Sequence, residues 1–299
     1  MHARQRFRTV VASAVAVLLC AGTLSGCDAA PPGAAAPSRS ASPKPRPTPV
    51  WDRSPASVAA VGDSITRAFD ACGILTDCPE ASWATGTDAA VDSLALRLLG
   101  PERMAGHSWN LARSGARMEE LPEQMARAAA RAPELVAVMM GANDACRESP
   151  ERMTPVEEFR SSFAAALARL RKTAPKAQVY VSSVPDLKRL WSTGRTNPVG
   201  RQVWKLGICA SMLADAEDLG AAAERRRATV QDRVVAYNAV LKEVCGKDPR
   251  CRYDGGAVFA FRFDGAQLSP WDWFHPSRDG QARLAEIAHR RVTAEAPPA

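Results

Sequence analysis

Val58-Ala59-Ala60-Val61-Gly62-Asp63-Ser64-Ile65-Thr66 is the stretch whose reading decides the fold. Val58 to Val61 reads as a first strand, and Gly62-Asp63-Ser64 ends it in a turn. A serine at a strand-to-helix turn presents its hydroxyl at the carboxyl edge of a sheet, where helix-start amides favour developing negative charge. Taken alone, Ser64 reads as an ordinary helix cap, because Asp and Ser are the commonest caps.

Outward from this segment, apolar runs alternate with helical patterns, which predicts strands and helices in βα succession and a mainly parallel sheet. A helix is expected over 89–99, with Val91, Leu94, Ala95 and Leu98 on one face. Residues 107–111 read as a second strand and 119–131 as an alanine-rich helix. Residues 134–140 form the continuous apolar run of a strand buried on both faces. The clearest helix follows Pro155, with Phe159, Phe163, Leu167 and Leu170 at helical spacing. Residues 178–184 predict another strand, and 186–230 interrupt the alternation with Trp191 and Trp204 as an excursion able to roof a cleft. Helices over 234–244 and 279–292 and an extended segment over 257–263 complete the reading.

The chain has 299 residues and a formal charge of +7. Its first residues include Arg4, Arg6 and Arg8, followed by an apolar run from Val10 to Ala21, the pattern of a secretory signal. An uncleaved membrane helix over 9–26 is the alternative. Without the three signal arginines the charge is about +4, too mild to point to nucleic acid. Arg225-Arg226-Arg227, the compact basic run, reads as a solvated helix face. Residues 28–50 hold many prolines among Ala and Ser and too few large apolar groups for a core. At about 3.1 Å per residue they predict a semi-extended tether several tens of ångströms long. The folded part, 51–296, fits one domain.

Export permits disulfides. Beyond Cys20 and Cys27 there are six cysteines, Cys72, Cys78, Cys146, Cys209, Cys245 and Cys251, which allow fifteen pairings. The short spacings 72–78 and 245–251 are flanked by turn formers, and the preferred set is Cys72–Cys78, Cys146–Cys209 and Cys245–Cys251. A zinc site is the rival, but there is no C-x-x-C pair and only four histidines.

Four separated segments share one chemical explanation. Asp272-Trp273-Phe274-His275 supplies a base and an orienting carboxylate that meet across one turn. A serine hydroxyl is a poor nucleophile until imidazole takes its proton, and a carboxylate fixes the imidazole tautomer. His107 and His289 are the competing histidines. Ser114-Gly115-Ala116 and Gly141-Ala142-Asn143-Asp144 follow predicted strands at the same sheet edge, where the Gly115 amide, the Asn143 side chain and the Ser64 amide would form an oxyanion hole. Turn chemistry alone also accounts for both segments. Gly106-His107-Ser108-Trp109-Asn110 approaches G-x-S-x-G, but it lacks the last glycine and precedes a strand, so Ser108 is set aside.

In order and content these blocks resemble the SGNH or GDSL hydrolases, named for the Ser, Gly, Asn and His of four ordered segments. The resemblance runs from Val58 to about Leu284, with Ile65 where the family commonly has Leu. It implies a three-layer α/β/α sandwich with a mainly parallel sheet, Ser64 as nucleophile, His275 as base and Asp272 as its partner. It likewise implies an oxyanion hole of Ser64, Gly115 and Asn143. Leu24-Ser25-Gly26-Cys27 resembles the lipobox of bacterial lipoproteins, which implies a signal peptide over 1–26, a lipid on Cys27 and a place on the extracellular face of the membrane, with release possible. The six cysteines resemble the three sequential disulfides of secreted actinobacterial lipases of the family, which supports the preferred pairing. The expected partners are a small-molecule or lipid ester and, through Cys27, the membrane. No metal, cofactor or nucleic acid is expected, and the protein is expected to be a monomer.

The leading expectation is an extracellular serine ester hydrolase, a lipase or esterase that forms an acyl-Ser64 intermediate. A carbohydrate O-acetylesterase is the alternative within enzymes, and a non-catalytic tethered binding lipoprotein the one outside. Trp191, Trp204, Met212 and Leu213 are candidates to line an acyl groove, against plain core packing.

Overall fold

The structure is a computed structural model and describes residues 50–297. The signal, Cys20, Cys27 and the tether up to residue 49 lie outside the described residues. Five parallel strands form one sheet: β1 (Val58–Gly62), β2 (Ser108–Asn110), β3 (Leu135–Met139), β4 (Gln178–Val181) and β5 (Cys251–Tyr253), in spatial order β2-β1-β3-β4-β5. All of β1, β3 and β4 is buried, as their continuous apolar composition requires.

Among the described residues ten α-helices accompany them. They are α1 (Leu94–Leu99), α2 (Leu121–Ala129), α3 (Ala142–Ala145), α4 (Val156–Thr173), α5 (Leu187–Gly194), α6 (Pro198–Trp204), α7 (Ala210–Leu213), α8 (Ala221–Gly246), α9 (Ala257–Ala260) and α10 (Arg278–Thr293). The chain steps from β1 to β2 in one direction and then reverses to reach β3, β4 and β5. Right-handed crossovers put the helices of the two directions on opposite faces. Accordingly α2, α4 and α8 pack side by side on one face, whereas α1 packs with α10. The result is the expected α/β sandwich. The reversal falls at β1, and ligands of open α/β sheets bind beyond the carboxyl ends of the strands at such a switch point.

Four local expectations need correction. The segment after Ser64 makes one helical turn, with the Arg67 amide donating to the Asp63 carbonyl at 3.1 Å. It then stops at Ala68, whose φ of 50° is left-handed, so no regular helix follows the serine. The helix expected from residue 89 begins only at Leu94. Asp92 is left-handed, and the Ser93 hydroxyl caps the Leu96 amide at 3.1 Å. Residues 257–263 are not a strand. The chain leaves the sheet at Asp254, whose carboxylate accepts the Val258 amide at 3.0 Å and so starts α9. The helix expected over 234–244 is the end of the 26-residue α8, which begins inside the predicted excursion.

That long helix also corrects the basic run. Three consecutive residues span more than half a helical turn and cannot share one solvated face. Arg225 is exposed, but Arg227 is fully buried, with its guanidinium 4.1 Å from the Trp191 ring centroid.

Disulfides join Cys72–Cys78, Cys146–Cys209 and Cys245–Cys251, the preferred pairing. The first closes the loop after Ser64, the second ties α3 to α7, and the third links the end of α8 to β5. Among the described residues no helix is long and apolar enough to cross a membrane.

Gly62 is where the sheet and the turn meet. Its φ is +149°, and a Cβ there would lie 2.2 Å from the Met139 carbonyl oxygen and 2.7 Å from Thr66 Oγ1. The buried amide of Gln124, on α2, accepts from the Gly62 N–H at 2.7 Å and donates to its carbonyl at 3.0 Å. Gly62→Ala is expected to cost about 3 kcal/mol or more of stability, because the clash is with backbone that cannot rotate away. A shift in the urea unfolding midpoint measures this, and an unchanged midpoint would show that the strand end is free to move.

Candidate active site

Three strand ends at the switch point deliver three of the expected groups to one place. Ser64 leaves β1, Gly115 stands on the loop after β2, and Asn143 opens α3 after β3. The fourth block arrives from the far end of the chain. Leu268 and Pro276 form an isolated antiparallel bridge, and the Ser269 amide donates to the His275 carbonyl at 2.7 Å. Within this loop Asp272 Oδ1 accepts the amides of Phe274 (2.8 Å) and His275 (3.0 Å).

The remaining contacts make a chain of side chains. His275 Nδ1 lies 2.5 Å from Asp272 Oδ2, and His275 Nε2 lies 2.9 Å from Ser64 Oγ. Asp272 thus fixes the imidazole with its proton on Nδ1 and leaves Nε2 free to accept from the serine. Burial raises the Asp272 carboxyl, but the hydrogen bond and charge of His275 and the two amides outweigh it, so the group stays below its ordinary value. Phe69 and Phe274 flank the imidazole, with ring centroids 5.0 and 4.9 Å away. Trp271 is 44% exposed, and Trp273 turns toward Gly200 and Gly265.

Gly115 has φ +79° and open space where a Cβ would stand. Among the described residues neither its amide nor that of Ser64 donates to a protein acceptor. Asn143 Nδ2 donates to the Ala116 carbonyl at 3.0 Å, which ties its amide to the Gly115 loop. The loop is tied again from the disulfide side. Ser114 Oγ donates to Asp77 Oδ1 at 2.5 Å, and Arg67 Nε donates to Asp77 Oδ2 at 3.0 Å.

Below the serine lie two buried acids, Asp63 and Asp144, that no site role had been assigned. Asp63 Oδ1 accepts the Ile65 amide at 2.9 Å, and Asp144 Oδ2 accepts the Met118 amide at 2.9 Å. The second oxygen of each is buried without a partner. Burial pushes Asp63 up to about 7 and Asp144 up to about 6.

The other histidines are elsewhere. His107 precedes β2 at the amino ends of the strands, and His289 lies on α10. Trp191, Trp204, Met212 and Leu213 are buried in the core and none of them lines the apolar cavity beside Ser64, although Trp204 and Leu213 border a separate one with Arg201 and Asp215. The Trp204 indole donates to the Asp272 carbonyl at 2.9 Å and thereby supports the histidine loop from behind. The excursion reaches the site through α5. Leu187 and Leu190 wall an apolar cavity of about 20 Å³ together with Ile65, Ala142 and Phe274. Four of its walls, Ile65, Ala142, Phe274 and Pro276, are chain neighbours of Ser64, Asn143 and His275. Asp70, Asp77, Gln124 and Trp204 were not foreseen as supports, because no motif marks a residue that touches only other site residues.

Residues 58–288 match the sequence model of GDSL-like lipases and acylhydrolases. The chain belongs to that family and is a carboxylic ester hydrolase. A search of curated proteins returns no match. Among solved structures it is similar to a candidate GDSL-like lipase of Parabacteroides merdae ATCC 43184, with 15% identity over 82% of this chain and 98% of that one and a TM-score of 0.49. It is also similar to phospholipase A1 of Streptomyces albidoflavus NA297 (18% identity, 80% and 99% covered, TM-score 0.45). A third is an active-site mutant of a family two carbohydrate esterase of Clostridium thermocellum (13% identity, 83% and 64% covered, TM-score 0.46).

The buried acids predict how stability follows pH. Asp63 titrates near 7 and Asp144 near 6 in the folded chain, against an ordinary 3.8. The folded state therefore binds more protons than the unfolded one between these values, and stability falls as pH rises through that window. Their contribution is fully present below about pH 4 and lost above about pH 7, amounting to a few kcal/mol. Melting temperature should drop between about pH 4 and about pH 7, and Asp63→Asn should flatten the drop. An Asp63→Asn variant with the wild-type slope would rule Asp63 out as its source.

Proposed function

We propose that the protein is a serine ester hydrolase that works through an acyl-Ser64 intermediate. The observation that carries this reading is the unbroken path from Ser64 Oγ through His275 to Asp272, at 2.9 and 2.5 Å. In the first half-reaction Ser64 Oγ attacks the acyl carbonyl carbon while His275 Nε2 takes its proton. The Asp272 carboxylate stabilises the imidazolium so formed. The oxyanion is received by the amides of Ser64 and Gly115 and by Asn143 Nδ2, and His275 returns the proton to the leaving alkoxide. Water then repeats the sequence on the acyl-serine. No step calls for a metal or an organic cofactor.

A second reading, the carbohydrate O-acetylesterase, is favoured by the size of the apolar space beside the serine. About 20 Å³ of enclosed apolar space is enough for an acetyl methyl. Acyl nitrophenyl esters of rising chain length and acetylated xylan separate the two. Acetyl esters are expected to be preferred, and Ser64→Ala is expected to lower kcat about 10⁴-fold or more. A preference for long acyl chains would return the assignment to a lipase. Activity that survives Ser64→Ala would remove Ser64 from the chemistry.

The place of action is part of the proposal. A signal over 1–26, a lipid on Cys27 and a tether to residue 50 would hang the domain 51–296 as a monomer on the outer face of the membrane. Three disulfides support an oxidising compartment. Metabolic labelling with a fatty acid analogue should mark the wild-type chain and spare Cys27→Ala. Equal labelling of both would exclude Cys27 as the anchor.

A further inference from the structure

Asp70 closes the turn that Ser64 opens, and the mechanism just described makes no use of it. Its backbone is left-handed, with φ 57°. Its amide donates to the Thr76 carbonyl at 2.9 Å, and its own carbonyl accepts Ser269 Oγ at 2.8 Å. The residue is thus pinned between the disulfide loop of Cys72–Cys78 and the loop that carries Asp272 and His275. Its side chain is buried, and Oδ1 has no hydrogen-bond partner among the described residues. Oxygens of Asp70 and Asp272 and a ring nitrogen of His275 all lie within 4.8 Å of one another.

Two carboxyls this close in a water-poor site do not both ionise. Asp272 is the member held as the anion, because it accepts two backbone amides and the imidazole N–H. Asp70 has no comparable set of donors. Burial first, and then the charge and hydrogen bond of Asp272, push its carboxyl up, while His275 opposes this. The titratable groups that face it are Asp272 and His275, from the 268–277 loop. Asp63, at the end of β1, acts on His275 in turn. On its own loop Arg67 and Asp77 pair with each other, and Cys72 is in a disulfide.

We propose that Asp70 is a positioning residue that keeps its proton and donates it to Asp272, so that the pair carries a single negative charge behind His275. The shared proton holds the Asp272 carboxylate in line with Nδ1. It also keeps a second negative charge away from the imidazole. The inference rests on the reading of Ser64, His275 and Asp272 as the hydrolytic machinery.

Two substitutions in the disulfide-intact protein test it. Asp70→Asn keeps the shape and a donor but cannot ionise, and Asp70→Ala removes the donor. With nitrophenyl acetate, Asp70→Asn should retain kcat within about threefold of wild type, with the acid limb of kcat/KM unmoved. Asp70→Ala should lose kcat about tenfold or more, with little change in KM. If the acid limb of Asp70→Asn moves down by about one pH unit, Asp70 was ionised and the proposal fails. Equal losses in both variants, or no loss in either, would also overturn it, the first by making the role structural. Should Asp70→Ala not fold, infrared decides: at about pH 8, where Asp63 and Asp144 are largely ionised, the wild-type minus Asp70→Asn difference spectrum should show a protonated-carboxyl C=O band, and its absence from that difference would sink the idea. That band is judged without turnover. A wild type that shows the band and hydrolyses no ester would retire the hydrolase reading and leave the proton on Asp70 standing.

Discussion

Everything at the site hangs on the contact of Gly62 with the main chain of Met139. β1 must approach β3 so closely at its last residue that no side chain fits, and the backbone must take a dihedral that only glycine adopts without strain. The strand therefore ends there, the Gln124 side chain takes the Gly62 N–H and shares its carbonyl with the Arg113 amide, and the chain turns to lift Ser64 over the sheet edge. Because this occurs on the strand where the sheet order reverses, the loops after β2 and β3 open to either side of the serine. The position of the nucleophile is in this sense a property of the sheet.

Buried amide side chains repeat that solution elsewhere. Asn238 accepts the Val184 N–H at 2.8 Å and donates to its carbonyl at 3.1 Å where the chain leaves β4. Gln281 on α10 joins the Ile65 carbonyl to the Trp83 amide, and so anchors the turn after Ser64 to the last helix. Each clamp leaves a loop free of regular structure yet fixed in place, as a preorganised site requires. The acids beneath the serine follow a different logic. Asp63 and Asp144 each bind one amide and leave one oxygen orphaned, so they organise the strand ends at a cost in stability when ionised.

The central strands and the four functional blocks were legible because buried parallel strands are written as unbroken apolar runs and catalytic chemistry needs particular residue types. β5 was missed for a physical reason. It is a three-residue edge strand whose middle residue is Arg252, buried by stacking over Trp51 at 4.3 Å and by donating to the Ala294 carbonyl at 2.7 Å. No apolar pattern marks it. Arg227 was misread likewise, since its charge conceals a guanidinium packed on Trp191. The short helices α6 and α7 owe their form to tertiary packing and caps such as Asn197, with little periodicity to show, and α5 is only eight residues long. Asp70 and Asp77 were invisible because Asp272, His275 and Ser114, which they face, lie on other loops, and contacts of that kind exist only once the chain has folded.

The account centres on Ser64 as the one serine made nucleophilic by its surroundings, and an active-site-directed fluorophosphonate asks this directly. Digestion and peptide mass analysis of the treated, folded protein should find a single adduct on Ser64, abolished in His275→Ala, where no base remains to take the proton. An adduct on another serine such as Ser108 or Ser114, or no adduct on a protein that still hydrolyses esters, would contradict it.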